Sequence, residues 1–478
     1  MIVLWILLGL LALFLAVILI RTALFRPLPE VKTDPAPLEF DRQKAIDDLQ
    51  AMVRCRTVSD RDRSKEDEAE FEKFVDLLPQ MFPHVYATCT LHTPDPRALL
   101  FHWKGREEGD PTVLMAHYDV VSVVEEDWQK PAFEGIIEDG VLWGRGTLDT
   151  KGTFNAVMQA AEHLMATGFV PKHDIYLAFG GDEEINGNGA PAIVKWFQDH
   201  QIHPAMVVDE GGAVVEKVFP GVTRPCAVVG IAEKGLMNVS FEVRSNGGHA
   251  SAPPPHTAVG LLSQACVRVE NHPAKRRLTR PAAEMFNLLG RHSTFVYRMI
   301  FANLWCFLPV LDMICKKSGG ELNALMRTSC AFTTMEGSKG LNVIPPYARM
   351  TANLRIIPGE TVESTLNYVR KTVNDPNVTV SCMDGCDPSP VSQVDCPEWQ
   401  QLSEAIASTW ENTLVSPYLM LACSDSRHYR DLSDKVYRFS AMALSKEERG
   451  TIHGNDERIP LETITKAVEF YLRLIAKR

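Results

Sequence analysis

Apolar runs typical of β-strands alternate with helical segments over the first half of the chain. Residues 111–117, 174–179 and 204–208 are short apolar runs that stop at or beside polar residues. Apolar positions have helical spacing in segments 44–53, 65–78, 152–167 and 190–200. Strands that alternate with helices in this way predict an α/β domain with a mostly parallel central sheet. Ligands bind at the carboxyl edge of such a sheet.

The pattern changes near residue 234. Strands are predicted over residues 236–243, 348–357 and 378–382, with helices over residues 258–270 and 362–373. We interpret residues 234–356 as an α+β domain inserted into the first domain. The catalytic α/β domain then consists of two parts, residues 27–233 and residues 357–478.

The N-terminal segment is predicted to be a membrane anchor. Residues 1–20 carry no charged side chain, and twenty helical residues span about 30 Å, the thickness of a bilayer core. The basic start and the small-residue cleavage site of a signal peptide are not evident, so residues 1–26 are interpreted as a single uncleaved anchor with its flank. Arg21 and Arg26 follow the apolar run and no basic residue precedes it, which favours a cytoplasmic location for the body of the protein.

A second apolar stretch, residues 295–314, is too polar to predict another membrane span. It contains Arg298, Asn303 and Asp312. Such residues are expensive within a bilayer, so we predict a buried helix or one that lines a groove. A dimer interface or part of the lid core are the alternatives for the same residues.

Composition excludes several classes of protein. Hydrophobic residues make up 45% of the chain and charged residues 23%, which excludes wholesale disorder, collagen and a coiled-coil rod. The net charge is −11, and without a basic stripe nucleic acid is not an expected partner. The 11 cysteines form no paired CxxC set, which favours free thiols over a disulfide scaffold or a zinc knuckle.

Five short motifs carry side chains that bind metals, and four of them follow consecutive α/β units. The candidate ligands are His117, Asp149, Glu184, Glu210 and His453. Taken alone, each has an ordinary explanation as a hydrogen-bonded histidine, a solvated glutamate or a turn-forming aspartate. Their coincidence at one sheet edge favours a hydrolytic metal site. Imidazole and carboxylate without cysteine suit Zn²⁺, with Mn²⁺ or Co²⁺ as possible substitutes.

The charge of this ligand set suits two metal ions rather than one. Three of the five ligands are anionic, and a carboxylate can bridge two cations. Glu183 is left free beside Glu184 and is the predicted general base for a water molecule. Asp119, two residues after His117, is predicted to accept the ring N–H and to fix the tautomer of that histidine.

As a set, these motifs resemble the di-zinc aminoacylase/carboxypeptidase family. The matching segments are MAHYDVV (115–121), GRGTLDTKG (144–152), GGDEE (180–184), VVDEGG (207–212), GGHASAPP (247–254), NVIPP (342–346), NLRIIPGET (353–361) and IHGNDE (452–457). Within the family, the chain is most similar to carboxypeptidase S and to the animal enzymes that make and cleave N-fatty-acyl amino acids. The resemblance implies a zinc-exopeptidase-like α/β domain with a central mixed sheet, plus an inserted lid or dimerisation domain.

The resemblance also implies how the ligands are divided between two zinc ions. His117 and Glu210 would hold one ion, Glu184 and His453 would hold the other, and Asp149 would bridge them. Asp209 stays open as the alternative to Glu210. Thr150 stands where many relatives have aspartate or methionine, a change that a bridging aspartate tolerates.

Further residues are implied to bind the substrate. His249 would steady the oxyanion in the active site of a partner subunit, which would make a homodimer part of catalysis. Arg355 would grip the free carboxylate of the substrate, with Asn342 as a companion contact. Arg427, in the segment 423–429, is a further candidate to face the pocket.

The predicted reaction is hydrolysis of an amide in a substrate that has a free carboxylate, by a water molecule that Glu183 activates. N-acyl amino acids and short peptides are both candidate substrates. A membrane-tethered carboxypeptidase or dipeptidase without acyl preference is one alternative. An esterase or deacetylase that does not need Arg355 is another. The complete ligand set argues against a third, a non-catalytic metal-binding or ligand-binding homologue.

Overall fold

The computed structural model describes residues 1–478. The helices are α1 (Ile2–Leu24), α2 (Arg42–Val53), α3 (Glu68–Met81), α4 (Pro83–Thr88), α5 (Lys151–Ala166), α6 (Gly189–Asp199), α7 (Ala258–Asn271), α8 (Arg280–His292), α9 (Phe295–Ala302), α10 (Leu304–Ser318), α11 (Gly320–Met326), α12 (Val362–Val373), α13 (Pro397–Thr409), α14 (Lys446–Arg449) and α15 (Leu461–Ile475). The strands are β1 (Thr90–His92), β2 (Ala98–Trp103), β3 (Thr112–His117), β4 (Ile136–Glu138), β5 (Val141–Trp143), β6 (Ile175–Gly180), β7 (Met206–Val215), β8 (Cys226–Glu233), β9 (Gly235–Arg244), β10 (Gly248–His249), β11 (Ser329–Glu336), β12 (Val343–Ile344), β13 (Tyr347–Ile356), β14 (Thr379–Cys386), β15 (Leu414–Met420), β16 (Val436–Leu444) and β17 (Arg458–Pro460).

The larger sheet has eight strands in the order β1-β2-β6-β3-β7-β16-β8-β15. The neighbours β6–β3, β3–β7, β7–β16 and β15–β8 are parallel, and the other neighbours are antiparallel. The predicted mixed sheet is therefore confirmed. Helix α5 is buried along nearly its whole length. It begins at a close approach, because a Cβ at Gly152 would lie 2.3 Å from the carbonyl oxygen of Thr147.

A smaller antiparallel sheet has the order β11-β13-β9-β14. Buried positions alternate along β13, so one face of this sheet packs against α7 and α12. Strand β14 pairs with β9 from Thr379 to Cys386. The predicted end of the inserted domain at residue 356 is therefore too early, because this sheet extends to Cys386.

Helices α8 to α11, which we predicted to belong to the inserted domain, contribute instead to a core shared with the larger sheet, and α8 packs directly against β15. Met285, Phe286 and Leu289 of α8 share a core with Val228 of β8 and Leu419 of β15. Of the two predictions for residues 295–314, a buried helix or one that lines a groove, the buried helix is wrong for much of the segment. It forms α9 and α10, which are bent by 111° and expose several large apolar side chains.

Helix α1 is long and apolar enough to cross a membrane, and its side chains are almost all exposed. Helices α9 and α10 are long and apolar enough to cross a membrane only if the two are counted together as one bent span. An anchor and a signal sequence share these properties, so α1 agrees with the predicted anchor without deciding between the two.

Candidate metal centre and active site

Five candidate metal ligands lie at the carboxyl edge of the larger sheet or in loops beside it. His117 is the last residue of β3, and Glu184 lies in a single turn of 3-10 helix directly after β6. Glu210 lies within β7, Asp149 lies just before α5, and His453 lies between α14 and β17. Strand β3 pairs in parallel with β6 and with β7, so the ligands that follow these strands meet at one place.

Asp149 lies between the two histidines. Its Oδ1 is 3.0 Å from Nε2 of His117, and its Oδ2 is 2.9 Å from Nε2 of His453. Oε1 of Glu210 is 3.6 Å from the same nitrogen of His117, and Oε2 of Glu184 is 3.1 Å from that of His453. Each oxygen of Asp149 therefore faces a different pair of histidine and glutamate. A carboxylate that bridges two cations needs this arrangement.

The cluster concentrates negative charge in a buried place. Burial and the nearby charge of Asp149 together raise the pKa of Glu210 to about 8. The pKa of Glu184 is also raised by burial, and a hydrogen bond from His453 offsets only part of this rise. Divalent cations would relieve the repulsion between these carboxylates and would bind the imidazole nitrogens directly. The donor set therefore fits two metal ions.

Asp119 organises the residues around it from a fully buried position. Nδ1 of His117 is 3.0 Å from the backbone oxygen of Asp119 and 3.3 Å from its Oδ1. The carboxylate also accepts the backbone N–H groups of Glu183 and Glu184, both at 3.1 Å, and the hydroxyl of Ser59 at 2.7 Å. Asp119 thus holds both the histidine ring and the turn with the two glutamates. Only the contact with the ring was predicted from the sequence.

Glu183 lies beside the cluster, with its carboxylate within 4.8 Å of the donor atoms of His117 and Glu210. Burial raises the pKa of Glu183 well above its ordinary value, and the charge of Asp425 raises it further. Arg427 lies close by and donates a hydrogen bond of 2.9 Å to Oδ1 of Asn186. The structure therefore brings Glu183 to the candidate metal ligands and Arg427 to the same side of the site.

Asp209 and Glu210 face different neighbours from adjacent positions of β7. Oδ2 of Asp209 accepts the backbone N–H of Ser426 at 2.9 Å, and the residue is buried. Glu210 faces His117 instead. Adjacent side chains on a strand point to opposite faces, which accounts for the difference. The structure thus brings Glu210 to the other candidate ligands.

Glu457 is a residue of the site to which sequence analysis assigned no role. It is fully buried, and its Oε2 forms an ion pair of 2.7 Å with Arg145. Its Oε1 accepts the backbone N–H groups of Leu148 at 2.7 Å and Asp149 at 3.2 Å, and its Oε2 accepts that of Gly146 at 3.0 Å. Glu457 therefore holds the loop that presents Asp149. The only signal in the sequence was its place in the same motif as His453.

The predicted substrate-binding residues do not all reach the metal ligands. His249 lies in β10, which pairs with β12, and the backbone N–H of Ala250 donates to the backbone oxygen of Asn342 at 2.9 Å. His249 and Asn342 are both exposed, and the ring of His249 hydrogen-bonds only Ser251. Arg355 lies closer to the centre.

Arg355 adjoins a cavity that opens at the metal ligands. Its Nη1 is 3.5 Å from Sγ of Cys423, and Cys423 lines the cavity. The cavity has a volume of about 450 Å³ and reaches Asp149, Glu183, Glu184, Glu210 and His453. The apolar part of its wall includes Leu148, Ala213, Val215, Val218, Val228, Tyr418, Met420, Met442, Leu444 and Ile452. The site therefore combines a polar centre with an apolar extension.

Comparison with known proteins agrees with this geometry. The family model described as peptidase family M20/M25/M40 matches residues 113–477. The chain belongs to this family. It is 35% identical over 454 residues to the probable carboxypeptidase S-like 2 of Dictyostelium discoideum, covering 92% of this chain and 87% of that protein. It is also 35% identical over 443 residues to the N-fatty-acyl-amino acid synthase/hydrolase PM20D1 of Xenopus tropicalis, covering 91% and 86%.

A solved structure supports the same fold. The M20 metallo-carboxypeptidase of Sulfolobus solfataricus has a TM-score of 0.68 at 15% identity, with 91% of this chain and 99% of that chain covered. The resemblance drawn from the motifs is thus confirmed, and the protein is a metallopeptidase or amidohydrolase of the M20 family. The family is metal-dependent and typically dinuclear, in agreement with the arrangement around Asp149.

Proposed function

We propose that the protein is a di-zinc amidohydrolase that cleaves N-acyl amino acids with an apolar acyl group. The observation that carries the proposal is the cavity, which joins the metal ligands to an apolar wall that includes Val215, Val218 and Leu444. Each methylene buried there would contribute about 0.8 kcal/mol, which favours a lipid-like acyl group over a polar peptide residue. The name of the Xenopus relative supports the same substrate class.

The two ions would share one carboxylate. His117, Asp149 and Glu210 would hold one, and Asp149, Glu184 and His453 would hold the other. Bound zinc would polarise the scissile carbonyl and lower the pKa of a water molecule. Mn²⁺ or Co²⁺ suits the same nitrogen and oxygen donors.

Glu183 performs the proton transfers in this proposal. Its carboxylate takes one proton from the attacking water and gives one to the nitrogen of the leaving amino acid, so that it ends the cycle as it began. Asp119 acts as a positioning residue, because its carboxylate accepts the backbone N–H of Glu183 and lies against the ring of His117.

Arg355 binds the carboxylate of the substrate in this proposal. Its guanidinium adjoins the cavity through Cys423 and can bind a carboxylate through two parallel hydrogen bonds. His249 in β10 and Asn342 just before β12 are exposed, so they are proposed to complete the site of a second copy in a homodimer.

Helix α1 is proposed to anchor the protein in a membrane. Its length and apolar composition support this role. Arg21 and Arg26 at its end support the cytoplasmic side for the body of the protein.

The experiment uses the full chain, loaded with zinc in detergent micelles, with Glu183→Gln as the matched control. Mass spectrometry measures the amino acid released from long-chain N-acyl, N-acetyl and dipeptide substrates that share one C-terminal residue. We expect release mainly from the long-chain conjugate. We also expect a loss of at least about a hundredfold in Glu183→Gln with unchanged zinc content, because positioned proton transfer contributes about 10²–10⁴-fold.

Each alternative has its own outcome in this experiment. Release mainly from dipeptides would identify a carboxypeptidase or dipeptidase. Equal turnover of substrates without the carboxylate, unaffected by Arg355→Ala, would identify an esterase or deacetylase. Full zinc content without release from any substrate would overturn the hydrolase proposal in favour of a binding protein.

A further inference from the structure

The corner between α9 and α10 presents an apolar surface outside the active site. Met313 is 64% exposed, Trp305 is 57% exposed and Phe295 is 54% exposed. In α10 the exposed large apolar side chains Val310, Met313 and Ile314 lie along one side of the helix, and Trp305 is exposed in its first turn. Lys316 and Lys317 follow at its C-terminal end and are exposed as well. This surface, the α9–α10 corner, has the composition of an element that lies in a membrane interface.

The side of α10 opposite Val310, Met313 and Ile314 is held to the protein by ion pairs. Asp312 is buried and forms ion pairs with Arg327, with Arg276 at 3.2 Å and with Lys316 at 3.3 Å. Such a network needs protein partners and would be expensive in hydrocarbon. The helix therefore lies along the protein with one side held and the other side exposed, which excludes α10 as a helix that crosses a bilayer.

Helix α1 joins the α9–α10 corner through polar and apolar contacts. The ring of Phe14 packs edge-on against Trp305, with centroids 5.7 Å apart. Nδ2 of Asn303 donates to the backbone oxygen of Ile18 at 3.2 Å, and Nη2 of Arg21 donates to that of Ala302 at 3.1 Å. Buried polar contacts between helices fix their relative position. The apolar surface of α1 thus continues directly onto α10.

These contacts set the depth of the corner if α1 enters a bilayer. Phe14 lies two helical turns before Arg21, the first charged residue of α1, which is about 10 Å along the axis. Trp305, packed against Phe14, would then lie at a similar depth within a hydrocarbon core about 30 Å thick. We propose that the α9–α10 corner inserts into one leaflet of a lipid bilayer beside α1, without crossing it.

The corner is also close in the chain to the cavity. Helix α11 follows α10 after Gly319, and its Glu321 lines the cavity that reaches the metal ligands. If the proposed function holds, an acyl substrate dissolved in the leaflet would meet the protein next to this wall. Contact with lipid does not itself depend on the reaction, because it rests on α1, α9 and α10 alone.

Site-specific photocrosslinking in the full chain tests the contact. A benzophenone amino acid replaces Phe295 or Met313, and control variants carry it at Val170 or Met383, which are 43% and 51% exposed on other surfaces. The protein is reconstituted in vesicles of phosphatidylcholine and phosphatidylserine, irradiated, and analysed for adducts by mass spectrometry. We expect at least tenfold more lipid adducts at the corner than at the controls.

Two results would overturn the proposal. Adducts between two protein chains at Phe295 or Met313 would show that the corner binds a second copy. Adduct yields equal to those of the controls would show that it faces water. Retained zinc binding by each variant shows that the fold is intact.

A charged substitution in the α9–α10 corner tests the lipid contact independently of the proposed function. Met313→Glu is expected to lower lipid adduct formation at Phe295 at least tenfold. If the enzyme cleaves N-acyl amino acids, Met313→Glu should also slow turnover of a vesicle-bound long-chain substrate and leave a soluble short-chain substrate unaffected. Lipid adducts without any amidase activity would sustain the lipid contact and remove only the proposed reaction.

Discussion

Asp149, which is partly buried, and Glu457, which is fully buried, have different kinds of partner for their carboxylates. Glu457 has partners within the chain, because it pairs with Arg145 and accepts three backbone N–H groups. Asp149 faces two imidazoles, and each of these is also approached by a glutamate. A buried cluster with this excess of carboxylates becomes stable when cations are added. Glu457 therefore positions the loop, and Asp149 is left free to bind metal.

The neighbouring acids of β7 give a direct test of the ligand assignment. Glu210→Gln should reduce bound zinc toward one ion per chain and lower turnover at least about a hundredfold, because a neutral amide is a poor ligand for zinc. Asp209→Asn is the matched control, since its remaining oxygen can still accept the N–H of Ser426. Elemental analysis and turnover of both variants are the measurements. Loss of zinc in Asp209→Asn with full zinc in Glu210→Gln would reverse the assignment.

Residue type and local motif predicted which candidate metal ligands gather at the site, but not where His249 and Asn342 lie. His117 ends β3, Glu184 follows β6 and Glu210 lies in β7, and β3 pairs in parallel with both other strands. The role of Glu457 was not predictable in the same way, because its partner Arg145 lies 312 residues earlier. An ion pair between distant loops leaves no periodic signal in the sequence.

At the scale of elements, strong periodicity predicted position well and weak periodicity did not. Helix α12 coincides with the predicted segment 362–373, whereas α3 begins three residues later than the predicted segment 65–78. Edge strand β14 has few buried positions, so its membership of the smaller sheet was missed. For α9 and α10, hydrophobicity alone could not tell a buried side chain from an exposed one.

The cavity wall formed by β7 and the loop after it predicts the acyl preference. Val218 is half-buried, lines the cavity and follows β7. Val218→Trp should fill space that two acyl methylenes would occupy, which costs about 1.6 kcal/mol, or roughly fifteenfold in kcat/KM for long chains. N-acetyl substrates should be cleaved at the unaltered rate. A uniform loss across all chain lengths would mean that the cavity does not hold the acyl group.

For the whole molecule, the smaller sheet is joined to the catalytic domain before β9 and after β14, and also through α8 to α11, which pack with the catalytic domain between α7 and β11. Lys234 lies at the first, between β8 and β9, and its Nζ donates to the backbone oxygens of Arg327 at 2.8 Å and Ala324 at 3.0 Å. Burial lowers the pKa of Lys234 to about 7, and the backbone oxygens that its Nζ contacts are neutral. The second place is the exit from β14 at Cys386. The proposed role of His249 allows two arrangements, a site shared between two copies or closure of the lid on its own chain.

Mixed dimers decide between these two arrangements. Glu183→Gln inactivates the site of its own chain, and His249→Ala would inactivate the site to which that histidine contributes. If His249 acts across a dimer, co-expression of the two variants creates one intact site in each mixed dimer, and about a quarter of wild-type activity should return on random pairing. Each variant expressed alone should stay near background. If the lid acts on its own chain, both chains of every mixed dimer carry a defective site and no activity returns, so recovered turnover above the sum of the separate variants is the deciding measurement.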